Sequence, residues 1–108
     1  MTPEHIIQNR IREALSPYAI IFRANVGRIR TPDGRFFDTG LPSGFPDLFG
    51  FRKSDGKIIL IEVKTPTGRV SDAQQRFQRI VSAFPVICGV CRSVDDALRL
   101  IGVIPDDR

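Results

Sequence analysis

The amino-acid sequence predicts one α/β domain with a mixed central β-sheet flanked by helices. Its strongest strand pattern, Lys57–Lys64, follows another strand, Asp47–Arg52, across a tight turn, which predicts an antiparallel hairpin. A helical segment then separates this hairpin from a further apolar strand, Val86–Cys91, and such a strand–helix–strand unit predicts a parallel pairing. The length of 108 residues and the hydrophobic content of 42% are those of one folded domain.

The first half of the chain predicts a helix, a strand and an irregular segment. Thr2 and Pro3 are typical of a helix start, and apolar residues at helical spacing extend the predicted helix over Pro3–Leu15. The β-rich stretch Tyr18–Asn25 predicts the first strand. Residues 26–46 contain four glycines and three prolines, so this segment is either an excursion hairpin or a long functional loop.

In the second half, two helices alternate with the strands. Ser71 and Gln74 form a capping box that opens the second helix, which ends before Pro85. Its apolar residues form a stripe along one face: Ala73, Phe77, Ile80, Val81 and Phe84. Ser93 and Asp96 predict another capping box, opening a short helix with Val94, Ala97, Leu98 and Ile101 inward. The predicted order of elements is α-β-β-β-α-β-α.

The charge balance is compatible with a nucleic-acid partner. The net charge is +4, and 13 of the 16 basic residues are arginines, whose planar guanidinium binds phosphate in bidentate fashion. The same charge is equally expected of a basic domain kept in solution by its surface. Apolar runs are too short for a membrane span, and we expect neither a signal peptide nor a nucleotide cofactor.

Two cysteines, Cys88 and Cys91, have the spacing of a thiol redox or zinc site. Residues three apart in a strand point to opposite faces, and His5 is the only histidine in the chain, so core packing is the favoured interpretation. So few cysteines also predict a reducing compartment, the cytoplasm.

The residues that carry chemistry lie where the predicted hairpin strands begin and end. Glu62 and Lys64 share one face of their strand, and Asp47 opens the neighbouring strand at the same end of the hairpin. Two carboxylates and a lysine at one sheet edge are the groups that metal-assisted phosphodiester hydrolysis requires, because Mg²⁺ binds carboxylates, waters and phosphate. The alternative is a surface ion pair worth less than about 1 kcal/mol.

These motifs resemble a known nuclease signature. Pro46-Asp47, fourteen further residues and then Glu62-Val63-Lys64 are similar to the PD-(D/E)XK pattern, and more narrowly to its VRR-NUC branch, the virus-type replication-repair nuclease domain. The likeness extends over nearly the whole chain, in segments that include Glu4 with Gln8, residues 23–27, 39–42 and 44–48, and Ser71–Gln74. It implies a restriction-endonuclease-like core for a single domain over residues 1–108.

The resemblance also implies roles for individual residues. Asp47 and Glu62 would bind Mg²⁺ or Mn²⁺ together with the main-chain carbonyl of Val63, and Lys64 would position the attacking water. Glu4 would approach the metal through water, unless it only complements the helix dipole. Gln74 matches a further site residue of the family, and its alternative role is to cap the helix with Ser71.

Several basic residues near residues 26–46 are candidates for DNA binding. Phe36 and Phe37 lie beside them, and arginine with a nearby aromatic ring suits a DNA groove or an unpaired base. The alternative is a solvated hairpin whose phenylalanines pack on the core or on a second subunit. The basic candidates are Arg23, Arg28, Arg30 and Arg35, and the family resemblance adds Asn25 as a substrate contact.

The sequence therefore predicts a metal-dependent DNA endonuclease that cuts branched DNA, such as a four-way junction or a flap. So small a domain spans little DNA, and a twofold dimer would present two sites to a branched substrate. Stand-alone family members are phage-encoded and resemble such dimers. The resemblance therefore implies a homodimer in the cytoplasm of a bacterial or phage-infected cell. A non-catalytic DNA-binding module is the second hypothesis, and a thiol redox protein using Cys88 and Cys91 is the third.

Overall fold

The computed structural model describes residues 2–105, apart from the side chain of Ile29. In this part of the chain, three helices and six strands follow one another in the predicted order, with one small hairpin added between the first two long strands. The elements are α1 (Pro3–Leu15), β1 (Ala19–Arg23), β2 (Arg28–Arg30), β3 (Phe36–Asp38), β4 (Leu48–Arg52), β5 (Ile58–Val63), α2 (Asp72–Val81), β6 (Ile87–Cys91) and α3 (Val94–Leu100).

The four long strands form a mixed sheet in the order β1-β4-β5-β6. β4 pairs antiparallel with both β1 and β5, and β5 pairs in parallel with β6. The predicted hairpin and the predicted parallel pairing are therefore both confirmed. β2 and β3 pair only with each other, so residues 26–46 form the excursion hairpin, one of the two predicted alternatives.

The four long strands are each shorter than the sequence predicts. Tyr18, Ala24 and Asn25 lie outside β1, and Asp47 lies just before β4. Lys57 and Lys64 flank β5, and Val86 precedes β6. Backbone hydrogen bonds nevertheless continue beyond both ends of β1, from Lys53 N to Tyr18 O (2.9 Å) and from Ala24 N to Asp47 O (2.8 Å). The patterns identified the strands correctly, but side-chain alternation does not specify where regular pairing stops.

One face of the sheet and helices α1 and α3 enclose the hydrophobic core. In β5, Ile59, Ile61 and Val63 point to this face, and each is completely buried. Their helical partners include Ile11 and Leu15 of α1, which are also fully buried. The inward residues predicted for the last helix also belong to this core, with Val94 packed at its margin: Ala97, Leu98 and Ile101.

Helix α2 lies over the opposite face and covers only part of it. Phe45, in the loop before β4, makes edge-on contacts with Phe49 of β4 and Phe77 of α2, with ring centroids 6.0 and 5.5 Å apart. The far end of the predicted apolar stripe extends past the sheet. Ile80 and Phe84, which lie there, are 60% and 62% exposed. Amphipathic spacing identified the helix but did not predict how much of its apolar face the sheet covers.

The predicted helix starts are present with one difference. Thr2 and Ser93 accept hydrogen bonds from the backbone N–H groups of the first turns of α1 and α3, and Ser71 and Gln74 form a reciprocal capping box on α2. The capping box predicted for α3 is incomplete, because the Asp96 carboxylate accepts from Arg92 N (2.9 Å). No helix within residues 2–105 is long and apolar enough to cross a membrane.

The pairing of β1 with β4 depends on the absence of a side chain at Gly50. A Cβ atom at this position would lie 1.8 Å from the carbonyl oxygen of Ile20, and a backbone atom in a paired strand cannot move aside. We expect Gly50→Ala to lower the free energy of unfolding by about 2–4 kcal/mol, measured by urea denaturation. Gly56→Ala is the matched control: a Cβ there meets nothing within 4 Å, so this variant isolates the smaller cost of its positive φ of 75°. Equal losses in the two variants would contradict the steric argument.

Candidate active site

Asp47 is held at the start of β4 by the tightly packed backbone that precedes it. Pro46 is fully buried, and Gly44 has a φ of +93° where a Cβ atom would lie 2.5 Å from the carbonyl oxygen of Ala73 in α2. The Asp47 carbonyl bonds to Ala24, and its carboxylate oxygen Oδ2 accepts a hydrogen bond from Val63 N at 2.8 Å. The close packing of this loop therefore directs the Asp47 carboxylate toward the end of β5.

Glu62 occupies the opposing position on β5. The register pairs Leu48 with Ile61, and its continuation sets Asp47 opposite Glu62 on the face covered by α2. Glu62 is only 2% exposed, although an ionisable side chain is rarely so buried. Its Oε1 accepts a hydrogen bond from Gln74 Nε2 at 2.8 Å, whereas its buried Oε2 has no hydrogen-bond partner among the described residues.

Burial and a second carboxylate together favour the protonated form of Glu62. Burial is the largest cause, followed by the close approach and the negative charge of the Asp47 carboxylate, and together they raise the pKa of Glu62 to about 9. The charge of Lys64 opposes this shift, and that of Glu4 adds a small increment to it. The predicted site residues Asp47, Glu62 and Lys64 thus lie together, with Glu4 acting on them through its charge.

Gln74 contacts both the start of α2 and the carboxylate pair. Its Oε1 accepts a hydrogen bond from Ser71 N at 2.8 Å, which completes the capping box, while its Nε2 donates a hydrogen bond to Glu62. The two ends of one amide therefore join the start of α2 to the carboxylate pair. The predicted capping role is confirmed, and the hydrogen bond to Glu62 is compatible with the site role that the sequence offered as its alternative.

The carboxylate pair has the properties of a site for a hard divalent cation. Buried Glu62 has a free oxygen beside a second carboxylate, an arrangement that a cation between them would stabilise. Within residues 2–105, no three side chains of the His, Cys, Asp and Glu types come close enough to hold a metal together. Two carboxylates with waters and a substrate phosphate nevertheless suffice for Mg²⁺, so the residues present fit this ion.

Arg92 is a structural support that the sequence did not reveal. Its Nη1 donates to the carbonyl oxygens of Thr65 (2.6 Å) and Gly68 (2.7 Å), with a longer contact to Pro66. These carbonyls belong to the loop that leads from Lys64 to the start of α2. A lone arginine after a strand has no motif of its own, so only the fold could show that it fixes this loop.

The candidate DNA-binding residues extend from the same end of the sheet. Arg23 ends β1 and pairs with Leu48, the neighbour of Asp47, and Asn25 follows two residues later. Arg28 lies in β2, and its guanidinium lies 4.7 Å from the ring centroid of Phe36. Further along the chain, Arg30 contacts the same ring at 5.8 Å, and Arg35 forms an exposed ion pair with Asp33 at 3.4 Å.

The cysteines do not form a reactive pair. Cys91 belongs to the core, and its burial raises the pKa of the thiol to about 12. Cys88 is half-buried on the opposite face of β6, and burial also raises its pKa. Since a reactive cysteine requires a lowered pKa, these environments argue against thiol chemistry.

Comparison with known protein families agrees with the fold. The family model of the VRR-NUC domain matches residues 34–95, more than half of the chain. The chain belongs to the VRR-NUC family. It is accordingly a nuclease-type domain that acts on DNA. No curated protein matches the sequence significantly.

The matched segment of this VRR-NUC domain contains most of the candidate site. Asp47, Glu62, Lys64 and Gln74 all lie within residues 34–95. Glu4, which the fold brings within electrostatic range of Glu62, lies before the matched segment, as do the arginines of β1 and β2. The predicted mixed α/β architecture, consistent with a restriction-endonuclease-like core, is confirmed.

The carboxylate pair predicts a pH dependence of stability in the absence of divalent cations. Because the folded state keeps a proton on Glu62 that the unfolded chain releases near pH 4.5, its contribution is fully present below pH 4.5 and is lost as the pH rises to about 9. In EDTA, the free energy of unfolding should therefore fall across this window relative to that of Glu62→Gln, by at most about 1.4 kcal/mol per pH unit.

Urea denaturation at several pH values between 5 and 9 measures this difference. Asp55→Asn is the control, since Arg52 and a backbone N–H of the turn lower the pKa of Asp55 to about 2, and its contribution is constant above pH 5. Parallel pH profiles for the wild type and Glu62→Gln would show that Glu62 is already ionised in the folded protein.

Proposed function

We propose that this VRR-NUC domain is a metal-dependent DNA endonuclease that cleaves branched DNA, a four-way junction or a flap, and acts as a homodimer. The observation that carries the proposal is the buried Glu62 carboxylate, which has a free oxygen and lies against Asp47 at the sheet edge. Burying a carboxyl group beside a second one is energetically unfavourable without a cation. A hard divalent cation bound between their oxygens would remove this cost. A structural ion pair would instead be exposed and matched in charge.

The residues of the site would divide the work as follows. Asp47 and Glu62 would hold Mg²⁺ or Mn²⁺ with the main-chain carbonyl of Val63, and Glu4 would act through a water molecule. A bound divalent cation supplies positive charge at the phosphate and lowers the pKa of water. Gln74 would keep the Glu62 carboxylate oriented through its 2.8 Å hydrogen bond.

Lys64 would orient the water that attacks phosphorus. In-line attack on the phosphodiester would expel the 3′ oxygen and leave a 5′ phosphate, while the Lys64 ammonium offsets the charge that develops on the phosphoryl oxygens. Arg92 would position Lys64 and Gln74 without contacting the substrate. The loop that it binds, residues 65–71, connects Lys64 to α2, which carries Gln74.

We also propose that one domain includes the whole of residues 1–108. Helix α1 and strand β1 lie before the segment that matches the family model, yet they share the core of that segment. Ile11 and Leu15 are completely buried among residues of β4 and β5. The matched segment alone would expose this core, which supports including the flanking elements in one unit.

A homodimer is supported by an apolar patch on the uncovered part of the sheet, formed by Ile20, Phe22, Phe51 and Ile58. The register places Ile20 opposite Phe51 and Phe51 opposite Ile58, so the patch crosses three strands. Its members are 37–51% exposed. The four side chains carry no charge for a phosphate backbone, whereas a second copy of the same surface would cover them by twofold symmetry.

Nuclease assays with and without divalent metal test the catalytic proposal. Four-way junction, flap, duplex and single-stranded DNA are each incubated with Mg²⁺, with Mn²⁺ and with EDTA. We expect cleavage of the branched substrates only with metal, and a loss of at least about a hundredfold in Asp47→Asn and Lys64→Ala. Metal should raise the melting temperature of the wild type and of Lys64→Ala but not that of Asp47→Asn.

Cys88→Ser is the control variant, and it should retain full nuclease activity because the thiol has no role in the mechanism. Salt-sensitive DNA binding with no cleavage in either metal would instead identify a non-catalytic DNA-binding module. Cleavage that survives Lys64→Ala in a correctly folded protein would contradict the role of that lysine.

Light scattering at micromolar concentration tests the dimer. We expect twice the monomer mass for the wild type and the monomer mass for Phe51→Asp, because a charge at the centre of the patch cannot be buried between two copies. Ile104→Asp is the matched control: Ile104 is 63% exposed but follows α3, which packs on the other face of the sheet. A monomeric wild type would refute the proposal.

A further inference from the structure

The β2–β3 hairpin presents different chemistry on its two faces. In its register Arg28 opposes Asp38 and Arg30 opposes Phe36, and residues two apart in a strand share a face. Arg28, Arg30, Phe36 and Asp38 therefore lie on one face of the hairpin, and the Asp38 carboxylate accepts a hydrogen bond from Gly40 N at 2.9 Å. Phe37, the next residue along the chain, points to the other face.

The first face holds two guanidinium groups ready for phosphate. The guanidinium carbons of Arg28 and Arg30 lie 4.7 and 5.8 Å from the centre of the Phe36 ring. Such contacts are attractive and restrict the two long side chains, so less rotamer entropy is lost when their N–H groups bind an anion. Because Phe36 remains 61% exposed, this face is open to a ligand.

The second face presents an aromatic ring to solvent. Phe37 is 58% exposed, so it does not pack into the core as the alternative interpretation of the sequence would require. An exposed ring of this kind can stack on an unpaired nucleobase, whereas the bases within a duplex already stack on one another. The two guanidinium groups and the exposed Phe37 ring thus lie on opposite sides of one narrow hairpin.

The hairpin projects from the end of the sheet that holds the carboxylate pair. At its base, Gly27 N donates to Leu41 O and Thr39 N donates to Gly27 O, each at 3.0 Å. Only two residues separate this base from Ala24, whose N–H binds the carbonyl of Asp47. Nucleic acid held by the hairpin would therefore lie beside the candidate active site.

The tip of the hairpin is ordered by its own hydrogen bonds. The Thr31 hydroxyl donates to the Asp33 carboxylate, which also accepts from Arg35 N and forms an ion pair with the Arg35 side chain. Within the tip, the Asp33 carboxylate is thus paired with the Arg35 guanidinium. The cations that contact the Phe36 ring are Arg28 and Arg30 of β2. A hairpin with a hydrogen-bonded tip, a cationic face and an aromatic face could therefore fit between two DNA strands that separate.

We propose that the β2–β3 hairpin binds the boundary between paired and unpaired DNA. Arg28 and Arg30 bind backbone phosphates on one side, and Phe37 stacks on the first unpaired base on the other. The proposal rests on the nuclease function described above and narrows its substrate class to DNA with an unpaired arm, a flap or a splayed fork.

Equilibrium binding in EDTA tests the proposal without cleavage. The probes are a splayed fork, a fully paired duplex and a single strand that share one fluorescein-labelled oligonucleotide, measured by anisotropy. We expect the wild type to prefer the fork. Phe37→Leu should weaken fork binding by about tenfold and leave duplex binding unchanged, because leucine keeps the apolar volume but has no aromatic face.

Further variants separate the two faces. Phe37→Tyr should bind the fork as the wild type does. Arg28→Ala and Arg30→Ala should weaken both fork and duplex binding, each lowering the slope of log affinity against log salt concentration by about one. Lys57→Ala is the charge control, since Lys57 lies in the turn before β5 at the other end of the sheet, and it should leave affinity and slope unchanged.

Two results would overturn the proposal. The first is fork binding by Phe37→Leu equal to that of the wild type. The second is a change of oligomeric state in Phe37→Leu with fork affinity preserved, which would assign Phe37 to contact with a second copy. Because binding is measured without metal, a protein that prefers the fork but cuts no DNA would refute the nuclease function and retain the hairpin proposal.

Discussion

Two carboxyl groups, those of Asp47 and Glu62, lie close together where β4 begins and β5 ends. The rest of the structure must hold this pair in place and offset its energetic cost. Taking an ionised carboxylate out of water costs roughly several kcal/mol, and a second negative charge beside it adds to that cost. Glu62 is 2% exposed at the end of the most buried strand, so its carboxyl group keeps a proton and thereby avoids part of this cost. A site that opposes folding in this way has a purpose other than stability.

The core that offsets this cost is built from the same strand. Along β5, Ile59, Ile61 and Val63 enter the core beneath α1 and α3, while the intervening positions face α2. The position of Glu62 is therefore determined by apolar packing on the far face of the sheet. On its own face Gln74 binds it from α2, so the carboxylate is oriented by two layers of the fold. Such orientation before any ligand arrives is what catalysis requires of an active site.

The sequence predicted the elements and the central site residues because these depend on short-range patterns. Alternation along residues 57–64 and the turn before them were sufficient to bring Asp47 beside Glu62. The depth of burial of Glu62 could not be predicted, since it depends on α2, whose Gln74 binds Glu62 from 12 residues away in the chain.

The same limit applies to Arg92, whose three carbonyl partners are 24–27 residues away. It also applies to α2, where spacing reveals an apolar stripe but not how much of it the sheet covers. Interactions between distant segments follow from the assembled fold, and a single sequence carries no local signal for them. Gln74 shows the intermediate case, because its capping role is local and its bond to Glu62 is not.

The distribution of charge connects the carboxylate pair to the basic composition of the chain. A phosphodiester that approaches Asp47 and Glu62 meets like charge, so this pair alone would repel the DNA on which the domain acts. Attraction must come from nearby cations. Arg23 ends the strand that pairs beside Asp47, and Arg28 and Arg30 follow on the adjoining hairpin. The net charge of +4 therefore describes two regions of opposite charge, a basic region that attracts the DNA backbone and an acidic region that repels it. A uniformly basic surface would bind DNA but would offer no carboxylate ligands for the metal ion that we propose.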